Sequence, residues 1–257
     1  MQIDFSGKIV LLTGASSGIG EATARRLAEC GARLMLTGRS EAKLATLAGE
    51  IAATGGEAAI LAGDITDSAF RERLVGDTVT RFGQLDVLVN NAGIIDTGTV
   101  ETTAMDAWHR MMDINLHAMF HLMQLAIPHL EKTRGNIVNI SSVAGTRSFP
   151  GILAYCVSKA GADQLTRCAA LELAGKGIRV NAVNPGVVVT RLHTREVMDE
   201  EAYANFIEHS KSTHPLGRVG EPEEIADLIA FIASDRAGWI TGATHAIDGG
   251  RAQTCAR

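Results

Sequence analysis

Lys8-Ile9-Val10-Leu11-Leu12-Thr13-Gly14-Ala15-Ser16-Ser17-Gly18-Ile19-Gly20 decides how this chain folds. Residues 8–13 form a short, nearly continuous apolar run, as in a strand covered on both faces. Gly18–Glu29 has a helical pattern, and Gly31 suits its C-terminal cap. Glycines at 14, 18 and 20 allow a tight turn between strand and helix. Such a turn presents free N–H groups and the positive end of a helix dipole, which suits a phosphate. The spacing is GxxxGxG rather than GxGxxG, and no Gly-Lys-Ser/Thr follows as in a P-loop. In its strand–helix context the loop predicts a pyrophosphate cradle made by Gly14, Ser16, Ser17, Gly18, Ile19 and Gly20.

The same alternation continues outward. Strands are expected at 33–37, 58–62, 86–90, 137–140, 179–183 and 244–247. Helices are expected from Ser40 toward Ala53, over 67–82, from Thr103 to His129 with Pro128 near the end, and over 154–174. Strands alternating with helices of this length make βαβ units. The expected fold is α/β: one domain over 1–257, a doubly wound and mostly parallel sheet with helices on both faces. Ligands in such a sheet sit beyond the carboxyl ends of the strands, where strand order reverses.

Composition agrees with a globular chain. Of 257 residues, 46% are hydrophobic and 21% charged, with a net charge of -5 and only 4% aromatics. A mildly acidic chain without a basic block argues against nucleic-acid and membrane-surface partners. No apolar run approaches the ~18 residues of a membrane span. The first twelve residues lack the pattern of a signal peptide. Four scattered cysteines form no CxxC, which fits free thiols in a reducing compartment, so a cytoplasmic location is expected.

The chemistry gathers in the loops after the strands. After the second strand stands Gly38-Arg39, where a site for NAD usually places an acid to bind the ribose 2′-hydroxyl. A guanidinium can instead hydrogen-bond a 2′-phosphate. Arg39 and the missing acid favour NADP(H), with NAD(H) as the alternative. Tyr155 and Lys159 are spaced to share one helix face. A free phenol has a pKa near 10. A neighbouring ammonium is expected to lower it, so the pair could exchange a proton with a carbonyl or alcohol oxygen. Ser141-Ser142 closes the fifth strand at the same sheet edge, and a hydroxyl there could stabilise negative charge on that oxygen. Neither serine lies in a G-x-S-x-G elbow, so a hydrolase nucleophile is disfavoured.

The ordered set Thr13-Gly14-x-x-x-Gly18-x-Gly20, Asn90-Asn91-Ala92-Gly93, Asn115, Ser142, Tyr155-x-x-x-Lys159 and Pro185-Gly186 resembles the short-chain dehydrogenase/reductase family, in its compact single-domain branch. The resemblance implies a Rossmann fold and hydride transfer between a nicotinamide and a ketone or secondary alcohol, with 3-oxoacyl thioesters among the possible substrates. It implies Tyr155 as acid/base, Lys159 on the nicotinamide ribose, and Ser142, thirteen positions before Tyr155, on the substrate oxygen. Asn115 would hold a water in a proton relay to Lys159. Asp64 and Ile65 would meet the adenine, and Asn91, Ala92 and Gly93 the adenosine ribose. Pro185, Gly186, Val188 and Thr190 would meet the nicotinamide. The resemblance also implies a homotetramer and a substrate lid at about 190–215, which contains His193, Met198, Tyr203 and Phe206. Thr146, Arg147, Ser148 and Phe149 are candidate substrate wall.

Two other readings are weighed. A non-catalytic dinucleotide-binding sensor or scaffold would share the fold, but would not need the full Asn–Ser–Tyr–Lys set. A methyltransferase using S-adenosylmethionine would want an acid where Gly38-Arg39 stands. His117 and His121 have a spacing that zinc could use, but no H-E-x-x-H acid lies between them and no third ligand is evident. A metal site is therefore not expected. The residues after Asp248-Gly249-Gly250 extend beyond the family's usual ending.

Overall fold

A computed structural model describes residues 3–190 and 200–254 of the chain. Its core is a sheet of seven parallel strands among the described residues. They are β1 (Ile9–Thr13), β2 (Arg33–Gly38), β3 (Glu57–Ala62), β4 (Val87–Asn90), β5 (Asn136–Ile140), β6 (Arg179–Pro185) and β7 (Thr244–Ile247), in the spatial order β3-β2-β1-β4-β5-β6-β7. The order reverses between β1 and β4, which opens a crevice at their carboxyl ends. The strands end within a few residues of the positions expected from sequence.

Helices cover both faces. On one side lie α1 (Gly18–Glu29), α2 (Glu41–Ala53) and the later Pro222–Ala233 helix; on the other lie α3 (Ser68–Phe82) and the long central helices. Adjacent residues of β1 go to opposite cores: Val10 and Leu12 pack with Leu27, Leu44 and Ile229, while Ile9 and Leu11 pack with Leu74, Met119 and Leu122. This two-sided burial is why β1 lacks polar alternation. Ser40 and Asp67 cap α2 and α3 by accepting from the N–H groups of Lys43 and Ala69.

The stretch expected as one helix from Thr103 to His129 is divided. It consists of α4 (Met105–Met112), a π turn at Asp113–His117, and α5 (Ala118–Thr133). The extra residue of a π turn rotates side chains out of the α-helical register. Next come α6 (Leu153–Leu173), α7 (Glu200–Thr213) and α8 (Pro222–Ala233). Helix α8 was absent from the sequence reading, although Glu221 and Glu224 form a capping box around Pro222. No described helix is long and apolar enough to cross a membrane.

Candidate active site

The glycine loop between β1 and α1 is a backbone cradle. Gly14 and Gly18 have φ of 65° and 57°, where a side chain is strained. A Cβ at Gly14 would lie 2.9 Å from the Ala92 Cα, and one at Gly20 would collide with the Gly14 carbonyl. Asn91 pins the cradle from the next loop: its Nδ2 donates to the Thr13 and Gly14 carbonyls at 3.0 and 3.1 Å. The Thr13 hydroxyl accepts from the Asn91 and Ala92 N–H groups at 3.0 and 2.9 Å. Thr190 closes the far side, its Cγ2 being 3.1 Å from where a Gly18 Cβ would stand. This cradle at a helix N-terminus fits a pyrophosphate.

Ser16, Gly38, Arg39 and Asp64 meet at the ends of β1, β2 and β3. A Cβ on Gly38 would touch the Ser16 Oγ at 3.1 Å. Arg39 is exposed. Asp64 accepts from the Thr66 N–H and hydroxyl at 2.9 and 2.8 Å. Those bonds, with the nearby Arg39 charge, hold its carboxyl below the usual value. The Ile65 carbonyl accepts from Arg71 at 2.6 Å, which ties this loop to α3.

The reactive group lies beyond β4 and β5. The π turn aims Asn115 inward, where it is fully buried. Its Oδ1 accepts from the Ile94 N–H at 2.9 Å, and its Nδ2 donates to the Ile94 carbonyl at 2.9 Å and the Ser158 Oγ at 3.1 Å. A Cβ at Gly93 would stand 3.4 Å from the Asn115 Oδ1 and 3.6 Å from the Lys159 Nζ, so these two polar groups flank the Gly93 backbone. Lys159 donates to the Ile140 carbonyl at 2.7 Å, and its Nζ lies 5.7 Å from the centre of the Tyr155 ring. Ser142 is extended at the end of β5, and its Oγ accepts from the Ala144 N–H at 3.1 Å. The Ser142 hydroxyl also lies beside the Tyr155 phenol and favours its ionised form. Ser141 points away, donating to the Lys159 carbonyl at 3.2 Å.

With this geometry in place, the comparisons are decisive. The chain matches the family described as enoyl-(acyl carrier protein) reductase over residues 14–252. It is 40% identical over 245 residues to the 3-oxoacyl-[acyl-carrier-protein] reductase FabG of Thermotoga maritima, covering 95% of this chain and 97% of that one. It is 36% identical over 251 residues to a cyclohexanol dehydrogenase of an Acinetobacter species, covering 97% and 96%. Among solved structures, a short-chain dehydrogenase/reductase from Mycobacterium marinum superposes with TM-score 0.91 at 33% identity, covering 99% and 98%. One from Caenorhabditis elegans, of unknown function and holding a cofactor, gives 0.92 at 37% identity, covering 98% and 97%.

The chain belongs to the short-chain dehydrogenase/reductase family. It is therefore a Rossmann-fold oxidoreductase that acts on CH–OH and C=O groups with a nicotinamide cofactor.

Within this dehydrogenase/reductase, one electrostatic expectation is corrected. Burial pushes the Tyr155 phenol up to about 12, against a smaller downward pull from Ser142. Any pull from Lys159 does not outweigh that burial. Its ammonium is itself drawn down to about 8 by burial and is engaged by the Ile140 carbonyl.

Several supporting residues escaped the sequence reading. Asn139 joins the Asn90 amide at 2.9 Å to the Thr166 hydroxyl at 2.9 Å, locking β4 and β5 to α6. His214 lies against the Pro185–Thr190 segment, its Nε2 accepting from the Val187 N–H at 3.1 Å. Its Nδ1 is 2.6 Å from the Ser210 carbonyl, which requires the proton on Nδ1. Arg147 does not stand free on the substrate wall: it donates to the Ala252 and Thr254 carbonyls at 2.6 and 3.3 Å. The chain after Gly250 is thus folded back as far as Thr254, and residues 255–257 lie outside the described residues. Phe149 packs in the Tyr155 cluster, under the Arg251 guanidinium at 4.8 Å.

His117 pairs with Asp113 at 2.8 Å, and His121 Nδ1 accepts from Arg71 at 2.8 Å. Cys30, Cys156 and Cys168 are free thiols. Of the expected lid, 191–199, including His193 and Met198, lie outside the described residues. Tyr203 on α7 donates to the Thr190 carbonyl at 3.1 Å.

Proposed function

We propose that this protein is an NADP(H)-dependent reductase or dehydrogenase of a small ketone or secondary alcohol. The observation that carries the reading is the convergence of Tyr155, Ser142 and Lys159 beside the glycine cradle, at the carboxyl ends of the central strands. The relatives' names support the substrate class, since a 3-oxoacyl thioester reductase and a cyclohexanol dehydrogenase both interconvert a carbonyl and an alcohol. A nicotinamide dinucleotide, when bound, supplies or accepts the hydride at the substrate carbon.

In reduction Tyr155 gives its phenolic proton to the carbonyl oxygen, and in oxidation it takes the proton back. The Ser142 hydroxyl hydrogen-bonds the same oxygen and stabilises its developing negative charge. Lys159 holds a positive charge beside the phenol and the nicotinamide ribose, and Asn115 keeps the Gly93–Ile94 loop against it. Gly14, Ser16, Ser17, Gly18, Ile19 and Gly20 hold the pyrophosphate. Asp64, Ile65, Asn91, Ala92 and Gly93 line the adenosine, and Pro185, Gly186, Val188 and Thr190 line the nicotinamide. Arg39, just after β2 where Gly38 stands in place of the usual acid, selects the 2′-phosphate. Residues 190–215 serve as the substrate lid and the working unit is a homotetramer, as the family resemblance implies, and the scattered cysteines favour the cytoplasm.

The test is Tyr155→Phe, assayed on a carbonyl and alcohol panel by cofactor absorbance. NADPH affinity should stay near wild type while turnover falls by roughly two to four orders of magnitude. Near-wild-type turnover would end this reading.

A further inference from the structure

Three polar side chains stand one turn apart on the buried face of α6: Tyr155, Lys159 and Asp163. The first two act in the proposed reaction. The third is a carboxylate only 1% exposed, and such a group needs bonds to replace its lost water. Asn184 of β6 supplies them: its Nδ2 lies 3.1 and 2.9 Å from the two carboxylate oxygens. The same Nδ2 donates to the Ser142 carbonyl at 3.0 Å. The Ser141 hydroxyl lies beside the carboxylate as well and favours its charged form. Gly145 completes the enclosure, because a Cβ there would collide with the Asp163 Oδ2. One buried carboxylate thus touches both flanks of Ser142 and lies one turn behind Lys159.

We propose that Asp163 is a positioning residue for the reaction: it is the buried counter-charge that keeps Lys159 an ammonium, and through Asn184 it braces the turn that carries Ser142. The proposal rests on the roles given above to Tyr155, Ser142 and Lys159. Lys159 faces the Tyr155 ring on its own helix, the Ile140 carbonyl from β5, and the Asn115 amide across Gly93, while Asp163, one turn on along α6, acts on it as a charge at a distance. Of these groups, Asp163 carries the negative charge that favours the charged amine against burial. Burial holds the Asp163 carboxyl above its usual value, against downward pulls from Ser141, Asn184, Arg167 and Lys159.

Asp163→Asn keeps the shape and removes the charge. The Lys159 titration, followed by NMR of lysine-labelled protein without added nucleotide, should move down by about one pH unit. The alkaline limb of kcat/KM should move with it. A role in packing alone would leave both in place, and an unmoved Lys159 titration in the folded variant overturns the proposal. If Asp163→Asn does not fold, Asp163→Ser is titrated with and without formate; formate should return Lys159 toward its wild-type value, and no response overturns the proposal. Tyr155→Phe separates the two readings. If that variant keeps its turnover, the reading of the site fails, whereas the Lys159 shift fails or succeeds independently.

Discussion

The Lys159 ammonium donates a 2.7 Å hydrogen bond to the carbonyl oxygen of Ile140, at the last residue of β5. The amine is thereby tethered to the strand end that leads into Ser141 and Ser142. Burial draws its pKa down to about 8. A lowered amine value means that the charge is complete below that pH and is lost as pH rises through it. The kcat/KM of reduction should therefore fall as pH rises past about 8. Lys159→Met should remove that limb together with most activity. A flat profile between about pH 7 and 10 in the wild type would contradict the assignment.

Arg39 ends β2 beside Ser16 and Asp64 with its guanidinium exposed. Arg39→Asp places a carboxylate where a 2′-phosphate would lie and a ribose hydroxyl could be accepted. The kcat/KM for NADPH should fall by roughly 100-fold, about the worth of one charge-assisted bidentate contact. That for NADH should hold or rise. Equal losses for both cofactors would show that Arg39 does not read the phosphate.

Asn115 satisfies both backbone groups of Ile94. Asn115→Leu would strand a partly buried N–H and C=O at once, and each costs about 1–3 kcal/mol when unsatisfied. Thermal melting should show the loss, and turnover should fall with it because Gly93 lies against Lys159. Wild-type stability in this variant would mean that the π turn is held by other contacts.

His214 bridges α7 to the segment after β6 in its neutral form. Burial holds its pKa below the ordinary histidine value. Its stability contribution is therefore complete above about pH 6.5 and is lost as pH falls below that, because the unfolded chain binds the proton more readily. Glutamine can still accept from the Val187 N–H. His214→Gln should thus flatten part of the fall in Tm between about pH 7 and 5. His245 is also held low by burial, so the flattening should be partial.

Much of this molecule was legible as a linear pattern. The βαβ rhythm, the glycine spacing at 14, 18 and 20, and the thirteen-residue step from Ser142 to Tyr155 are local regularities, and the structure brings their residues to one crevice. Other features were not legible. The helical pattern from Thr103 runs unbroken in sequence, whereas the π turn accompanies a bond between Asn115 and Ile94 across 21 positions. Asp163 left a signal that could have been read, a third polar residue at four-residue spacing after Tyr155 and Lys159. Its partner Asn184 lies 21 positions away on β6 and left none.

Local periodicity and backbone freedom belong to short stretches of chain, so the residue order alone determined the parallel sheet and the glycine turn, and it singled out the side chains proposed to react. The ionisation of those side chains was decided only by tertiary structure. Whether Tyr155 is held near 12 and Lys159 near 8 depends on how completely distant segments exclude water and which carbonyls and carboxylates they bring within reach.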